Sequence, residues 1–264
     1  MKRHRVSSPI ALASIVASIV IVAPVVALLS RVPWGHLFTE LSSNDSLNAL
    51  RVSFFSSILA TIFAIGLGVP LAWLLARGRA TITKYFRPLV TLPLVLPPTV
   101  AGLALLALMG RNGVVGSWIY QATGWALPFT FVAVVVAGVF VGMPFLVLVV
   151  ESGFAQLPQE IEEAAETDGA NANQLFLNVA VPQVRGSIVT GAILAWARAL
   201  GEFGATLTFA GSMPGITRTL PMQVYVALES NMANAYALSF VLIVVSVTVL
   251  FVMRSHLMAV FRNV

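Results

Sequence analysis

The chain has 264 residues, 58% of them hydrophobic and only 9% charged, with a mean hydropathy of +0.93. About a quarter of the residues in an ordinary soluble domain are charged, so this composition excludes one and implies an integral membrane protein. The absence of cysteine removes disulfide, Fe–S and thiolate-metal chemistry, and the net charge of +5 is not gathered on a soluble face that would take nucleic acid.

Crossing a hydrocarbon core of about 30 Å takes about 20 helical residues. Uncharged runs of that length occur at Val6 to Ser30, Val52 to Ala76, Pro88 to Gly110, Pro128 to Val150 and Ala235 to Met253. Ser187 to Gly211 makes a sixth if Arg198 and Glu202 are tolerated inside it, since everything around them is apolar or small. The expected fold is all-α: one membrane domain over residues 1–264 with six transmembrane helices.

The first run follows Lys2, Arg3 and Arg5, the basic start of a signal peptide, but its apolar stretch exceeds the usual length of about 7–15 residues and reads as an uncleaved anchor. His4, His36 and His256 lie near span ends or termini and read as solvated side chains, not metal ligands. In the third run, Pro93, Pro97 and Pro98 break the backbone ladder. Irregular backbone at membrane depth is tolerated where it is buried in protein or faces a water-filled path, so these prolines mark either a pathway wall or a span that begins a turn later, near Thr99. Gly138 and Gly142 in the fourth run form a small-xxx-small pattern, read as helix packing and not as a dimer seam.

Residues 151–186 are the one sizeable polar segment. Pro158 suits a first helical turn, Glu160, Glu162 and Glu163 favour a helix N-terminus, and Gly169 ends that helix. A second helix starts at Asn171 or Asn173, carries Leu175, Phe176 and Val179 as an apolar stripe, and is stopped by Pro182. The stripe needs cover, either in a groove of a partner protein or at the membrane surface.

Arg198 and Glu202 share an i, i+4 spacing, which predicts one helix face. Charges at membrane depth face the bundle interior and pair, so the two either lock helices together or line a path. In the second case Arg198 attracts an oxyanion and Glu202 keeps it from binding too tightly. Gly201 and Gly204 allow close approach beside them, and Thr206 and Thr208 offer hydroxyls one turn on.

With six spans both termini share a side. That side carries ten Lys and Arg (Lys2, Arg3, Arg5, Arg77, Arg79, Lys84, Arg87, Arg185, Arg254 and Arg262) against four (Arg31, Arg51, Arg111 and Arg218) on the other. The positive-inside rule then puts both termini in the cytoplasm, and Trp34, Trp118 and Trp125 fall at the outer interface with lipid.

The stretch "EEAAETDGANANQLFLNVAVP" resembles the EAA loop of ABC importer permeases: Glu163, Ala164 and Ala165 match its triplet, Gly169 its glycine and Pro182 its closing proline, while Asp168 stands where the family has an apolar residue. "TLPLVLPPTVAGLALLALMGRNGVVG", "ARALGEFGATLTFAG" and "GITRTLPMQVYVALE" are similar to the permease subunits of molybdate transporters, with sulfate permeases close behind. The resemblance runs from about Asn48 to Arg254, with a type I importer core over 48–252. It implies a homodimer in the cytoplasmic membrane, two copies of a cytoplasmic ATPase subunit docked on the loop at 151–186, and an extracytoplasmic molybdate-binding protein. It also implies a translocation path or gate at Pro97, Pro98, Arg198, Gly201, Glu202, Gly204 and Thr206, and coupling through Glu163, Ala164, Ala165, Gly169, Leu175, Phe176 and Pro182.

The only lysines, Lys2 and Lys84, lie outside any G-x-x-x-x-G-K loop. The chain is therefore expected to be no ATPase and to carry no cofactor, with ATP and Mg held by the partner subunit. It ends at Val264, and we expect no substrate-sensing regulatory domain on it. Rival readings are a sulfate or thiosulfate permease, a passive anion channel that leaves the loop unexplained, and a membrane enzyme. An enzyme is disfavoured by the lack of an H-E-x-x-H pair, a G-x-S-x-G elbow and an intramembrane histidine.

Overall fold

The computed structural model describes residues 8–78 and 80–261, and every regular element among them is a helix. The chain is all-α. The readings placed on Lys2, Arg3, His4, Arg5, Arg79 and Arg262 lie outside the described residues.

Helix α1 (Ser8–Ser30) leaves the side chains of its apolar window uncovered by protein and meets the rest of the chain along the last helix. A short α2 (Leu37–Leu41) leads to α3 (Asn44–Arg77), whose N-terminus is capped by Ser43 accepting from the Ser46 N–H at 3.3 Å. Along α3 runs a buried stripe of Ala49, Ser53, Ser57, Ala60, Ala64, Gly68 and Ala72. Lipid gives no hydrophobic drive between helices, so such small residues hold a membrane bundle by letting backbones approach closely.

The third run is not one straight span. It forms α4 (Ala80–Val95) and α5 (Pro98–Met109), bent by 118° at Leu96 and Pro97. Pro97 and Pro98 have no N–H to give the preceding turn, and a residue before proline is pushed out of the helical region. Helix α6 (Gly116–Thr123) follows and ends at Gly124, which is left-handed at φ 71°.

Helix α7 (Phe131–Ala155) is the centre of the bundle, with α3 on one side. A Cβ on Gly138 would come 2.9 Å from that of Ala60, and one on Gly142 would come 2.8 Å from the Ala195 carbonyl. The small-xxx-small pattern therefore seats two neighbours within the chain.

The polar segment folds as α8 (Gln159–Thr167), α9 (Ala172–Gln174), a π-helical turn over Leu175–Ala180 and α10 (Val181–Gln183). Gly169, at φ 88°, closes α8 in a Schellman motif, with Ala170 N–H on the Ala165 carbonyl and Gly169 N–H on that of Glu166. Asn171 and Gln174 then make a reciprocal capping box. Pro182 does not stop this helix. It lacks an N–H and would crowd the Asn178 carbonyl, and the π turn, with Val181 N–H on the Phe176 carbonyl, widens the helix there.

After Val184 the chain turns by 76° into α11 (Arg185–Leu200), which packs on α7 and α3. The run expected over 187–211 stops at Leu200. It resumes as α12 (Gly204–Ala210), followed by α13 (Leu220–Ser230) and α14 (Met232–Phe261). Pro9–Ser30, Asn44–Arg77, Phe131–Ala155 and Met232–Arg254 are each long and apolar enough to cross a membrane, and the two bent pairs bring the number to six if each is one span.

Candidate translocation and coupling sites

Two of the breaks in the bundle meet, the one between α4 and α5 and the one between α11 and α12. A Cβ on Gly204, the first residue of α12, would lie 2.6 Å from the Cβ of Pro98, the first residue of α5. One turn along, a Cβ on Gly102 would lie 2.6 Å from the Ala205 carbonyl and 2.7 Å from Thr208 Cβ. The α5 and α12 segments thus start together and run in backbone contact. Pro97, Pro98 and Gly201 stay exposed at this junction.

Arg198 and Glu202 stand at the same break, but not on one helix face. Helix α11 ends before Glu202, in the sequence Gly201-Glu202-Phe203 that separates it from α12. Arg198 Nη1 pairs with Glu202 Oε2 at 2.6 Å, while Glu202 Oε1 accepts the Ala205 N–H at 2.8 Å. One carboxylate therefore answers a cation in the last turn of α11 and an orphan N–H in the first turn of α12, each placed where the helix dipole favours it. The two partners differ in exposure: the Glu202 side chain is 3% exposed and that of Arg198 32%. Thr206 is buried, and Thr208 donates to the Gly204 carbonyl at 3.0 Å. Helix α12 thus turns the Thr206 side chain into protein and engages the Thr208 hydroxyl with its own backbone.

At the opposite end of α7, the apolar stripe of the polar segment has found its cover inside the chain. Leu175 is buried, and Phe176 packs against Trp73 of α3 and Phe154 of α7 at ring separations of 5.8 and 6.4 Å. Trp73 and Phe154 meet edge to face at 4.9 Å. The sequence offered a partner groove or a membrane surface as cover, and neither is needed. Among the residues the segment leaves exposed are Glu160, Ile161, Glu163, Ala164 and Glu166 on α8, together with Gly169, Leu177 and Pro182; Ala165 is half-buried. A shallow polar hollow of about 390 Å³ lies between the two short helices, lined by Ala165, Asp168, Gly169, Gln174 and Asn178.

Two ion pairs fasten this end, and neither was visible in the sequence. Arg77 of α3 pairs with Glu162 of α8 at 2.7 Å, and Arg87 of α4 pairs with the buried Glu151 of α7. The partners in each pair are more than 60 residues apart in the chain. A larger and mainly apolar hollow of about 650 Å³, lined by Leu103, Leu106, Arg111 and Phe129, lies at the other end of α5 and includes none of the charged pair.

Broken helices in contact inside a bundle of membrane-length helices, with a structured polar loop at one end, suit the transmembrane subunit of a transporter, and the chain's relatives establish that class. The chain belongs to the family of binding-protein-dependent transport system inner membrane components, whose pattern it matches over residues 64–261. It is 42% identical over 235 residues to the molybdenum transport system permease protein ModB of Mycobacterium tuberculosis, with 89% of each chain covered. It is 34% identical over 206 residues to ModB of Escherichia coli K12, covering 76% of this chain and 90% of the relative. To the probable transport system permease protein NifC of Clostridium pasteurianum it is 34% identical over 237 residues, covering 89% and 82%. A bacterial alginate ABC transporter, solved in complex with its periplasmic protein, has the same fold: TM-score 0.71 over 91% of this chain and 90% of that one, at 16% identity. The chain is thus a multi-pass ABC permease subunit.

Proposed function

We propose that this chain is the membrane permease of an ATP-driven importer for molybdate, working as a homodimer with two copies of an ATPase subunit and a binding protein on the outer face. The observation that carries the substrate is similarity to a molybdenum permease over 89% of both chains. In this reading both termini and the 151–186 segment are cytoplasmic, as the distribution of Lys and Arg favours. ATP and Mg belong to the partner subunit, and this chain supplies the gated passage.

The Arg198–Glu202 pair suits an oxyanion path. Glu202 is fixed by its two bonds and by burial, so it acts as a stationary counter-charge. Arg198 is reached from outside the bundle and presents donors to a doubly charged tetrahedral anion. The pair is neutral overall, which attracts an anion locally without making a trap. Gly201 and Gly204 leave the same junction free of longer side chains, and Pro97, Pro98 and Thr206 complete the path or gate there. Glu163, Ala164, Ala165 and Gly169 form the docking surface for the ATPase, with Leu175, Phe176 and Pro182 shaping it from within.

The test is molybdenum content, by mass spectrometry, of cells lacking this gene and of cells with it restored, at limiting molybdate. Loss on deletion, return with the gene, and competition by tungstate but not by sulfate support the reading. Unchanged molybdenum with failed sulfur assimilation makes this chain a sulfate or thiosulfate permease instead.

A further inference from the structure

One side chain joins the polar segment directly to a membrane-length helix. Arg77, in the last turn of α3, donates from Nε to both Glu162 carboxylate oxygens at 2.9 and 3.1 Å, and from Nη2 to Oε1 at 2.7 Å. The same Nη2 donates to the Leu157 carbonyl at 3.1 Å, in the turn that leads from α7 into α8. Its guanidinium lies 5.6 Å from the ring centroid of Trp73, the residue that also meets Phe154 and Phe176. Only 18% of the Arg77 side chain and 14% of the Glu162 side chain are exposed. A surface ion pair is weak because water competes and two flexible side chains must be ordered. A fork on a carboxylate, shielded and braced by a ring, is directional.

Helix α8 carries four carboxylates, and Glu162 is the one turned inward; Glu160, Glu163 and Glu166 are exposed. Apart from this grip, α8 packs on the π-helical turn at Leu175–Ala180. A force applied to its exposed face reaches the membrane helices along the backbone into α7, through the π turn, whose Phe176 packs on Trp73 and Phe154 and which leads into α11, and through the directional grip of Arg77 into the end of α3.

We propose that Arg77 is a positioning residue for energy coupling: its grip on Glu162 makes α8 and the end of α3 move as one body when the ATPase subunit displaces α8. The proposal rests on the reading that α8 docks an ATPase. It assigns the Arg77–Glu162 pair a job distinct from docking, because the pair faces away from the docked surface.

The experiment uses the complete importer, permease with ATPase subunit, reconstituted in lipid vesicles with the loaded binding protein added. Arg77→Lys, Glu162→Gln and the double variant are compared with the parent for three quantities: ATPase subunit retained on purification, basal ATP hydrolysis, and the rise in hydrolysis on adding loaded binding protein. The proposal expects retention and basal hydrolysis to hold while the rise falls at least about fivefold, the lower range of coupling between sites. The double variant should be no worse than Glu162→Gln, because the two residues act through each other. Arg77→Lys, which keeps the charge but not the fork, should fall between parent and Glu162→Gln. An undiminished rise in both single variants overturns the proposal. So does loss of the ATPase subunit from either variant, since the pair then shapes docking and not transmission. If the parent complex itself holds no ATPase subunit, the functional reading fails and not this assignment alone.

Discussion

Gly204 and Pro98 touch where the break between α4 and α5 meets that between α11 and α12, with no room for a Cβ on the glycine: one built there would sit 2.6 Å from that of the proline. The contact makes α5 and α12 one packed unit whose start coincides with the Arg198–Glu202 pair.

Gly204→Ala and Gly102→Ala are expected to overpack this unit and destabilise the protein by about 1–3 kcal/mol each. Gly66→Ala on α3 is the control, since nothing lies within 4 Å of its Cβ position, and its effect should stay within about 0.5 kcal/mol. Thermal unfolding of the purified protein in one detergent checks all three.

Removing either partner of Arg198–Glu202 leaves a charge behind, and the two cases differ. Arg198→Met strands a carboxylate that is 3% exposed, whereas Glu202→Gln strands a guanidinium that is 32% exposed and is less enclosed by protein. Arg198→Met should therefore be the more destabilising, by about 1–3 kcal/mol relative to the parent, with Glu202→Gln nearer the low end. An equal shift in melting temperature would show that Glu202 gains its stabilisation mainly from the Ala205 N–H.

The polar segment separates fold from docking. Leu175→Ala truncates a side chain that is buried in the π turn and is expected to cost about 2–5 kcal/mol, as core truncations do. Leu177→Ala alters a residue that is 59% exposed, so stability should hold while retention of the ATPase subunit drops. Parallel melting and co-purification of the two variants decide the matter.

Ser53 is buried on α3, and its Oγ accepts the Leu220 N–H at 2.6 Å, joining the start of α13 to α3. Ser53→Ala orphans that donor, and a loss of about 1–3 kcal/mol is expected. Hydrogen exchange at Leu220 should quicken while that within α7 does not.

Much of this architecture was legible because it is local. Membrane-length runs follow from composition, and Gly169 and Asn171 announce a helix end and a helix start within four residues of each other. The break at Gly201 to Phe203 was not, because the segment stays apolar and small across it; only Glu202's choice of the Ala205 N–H and Arg198 together reveals two helix ends in place of one face. Nor was the cover of Leu175 and Phe176. For Phe176 it is supplied by Trp73, about a hundred residues earlier in the chain, and no periodicity within the segment can report so distant a partner. Arg77 and Glu162, 85 residues apart, were hidden for the same reason.

The most direct measurement is uptake of radiolabelled molybdate into vesicles that hold this permease with its ATPase subunit, with loaded binding protein outside and ATP inside. The account predicts accumulation that needs all three components, is competed by tungstate and not by sulfate, and is lost in Arg198→Met folded protein. Accumulation without ATP, or sulfate carried in preference to molybdate, would contradict it.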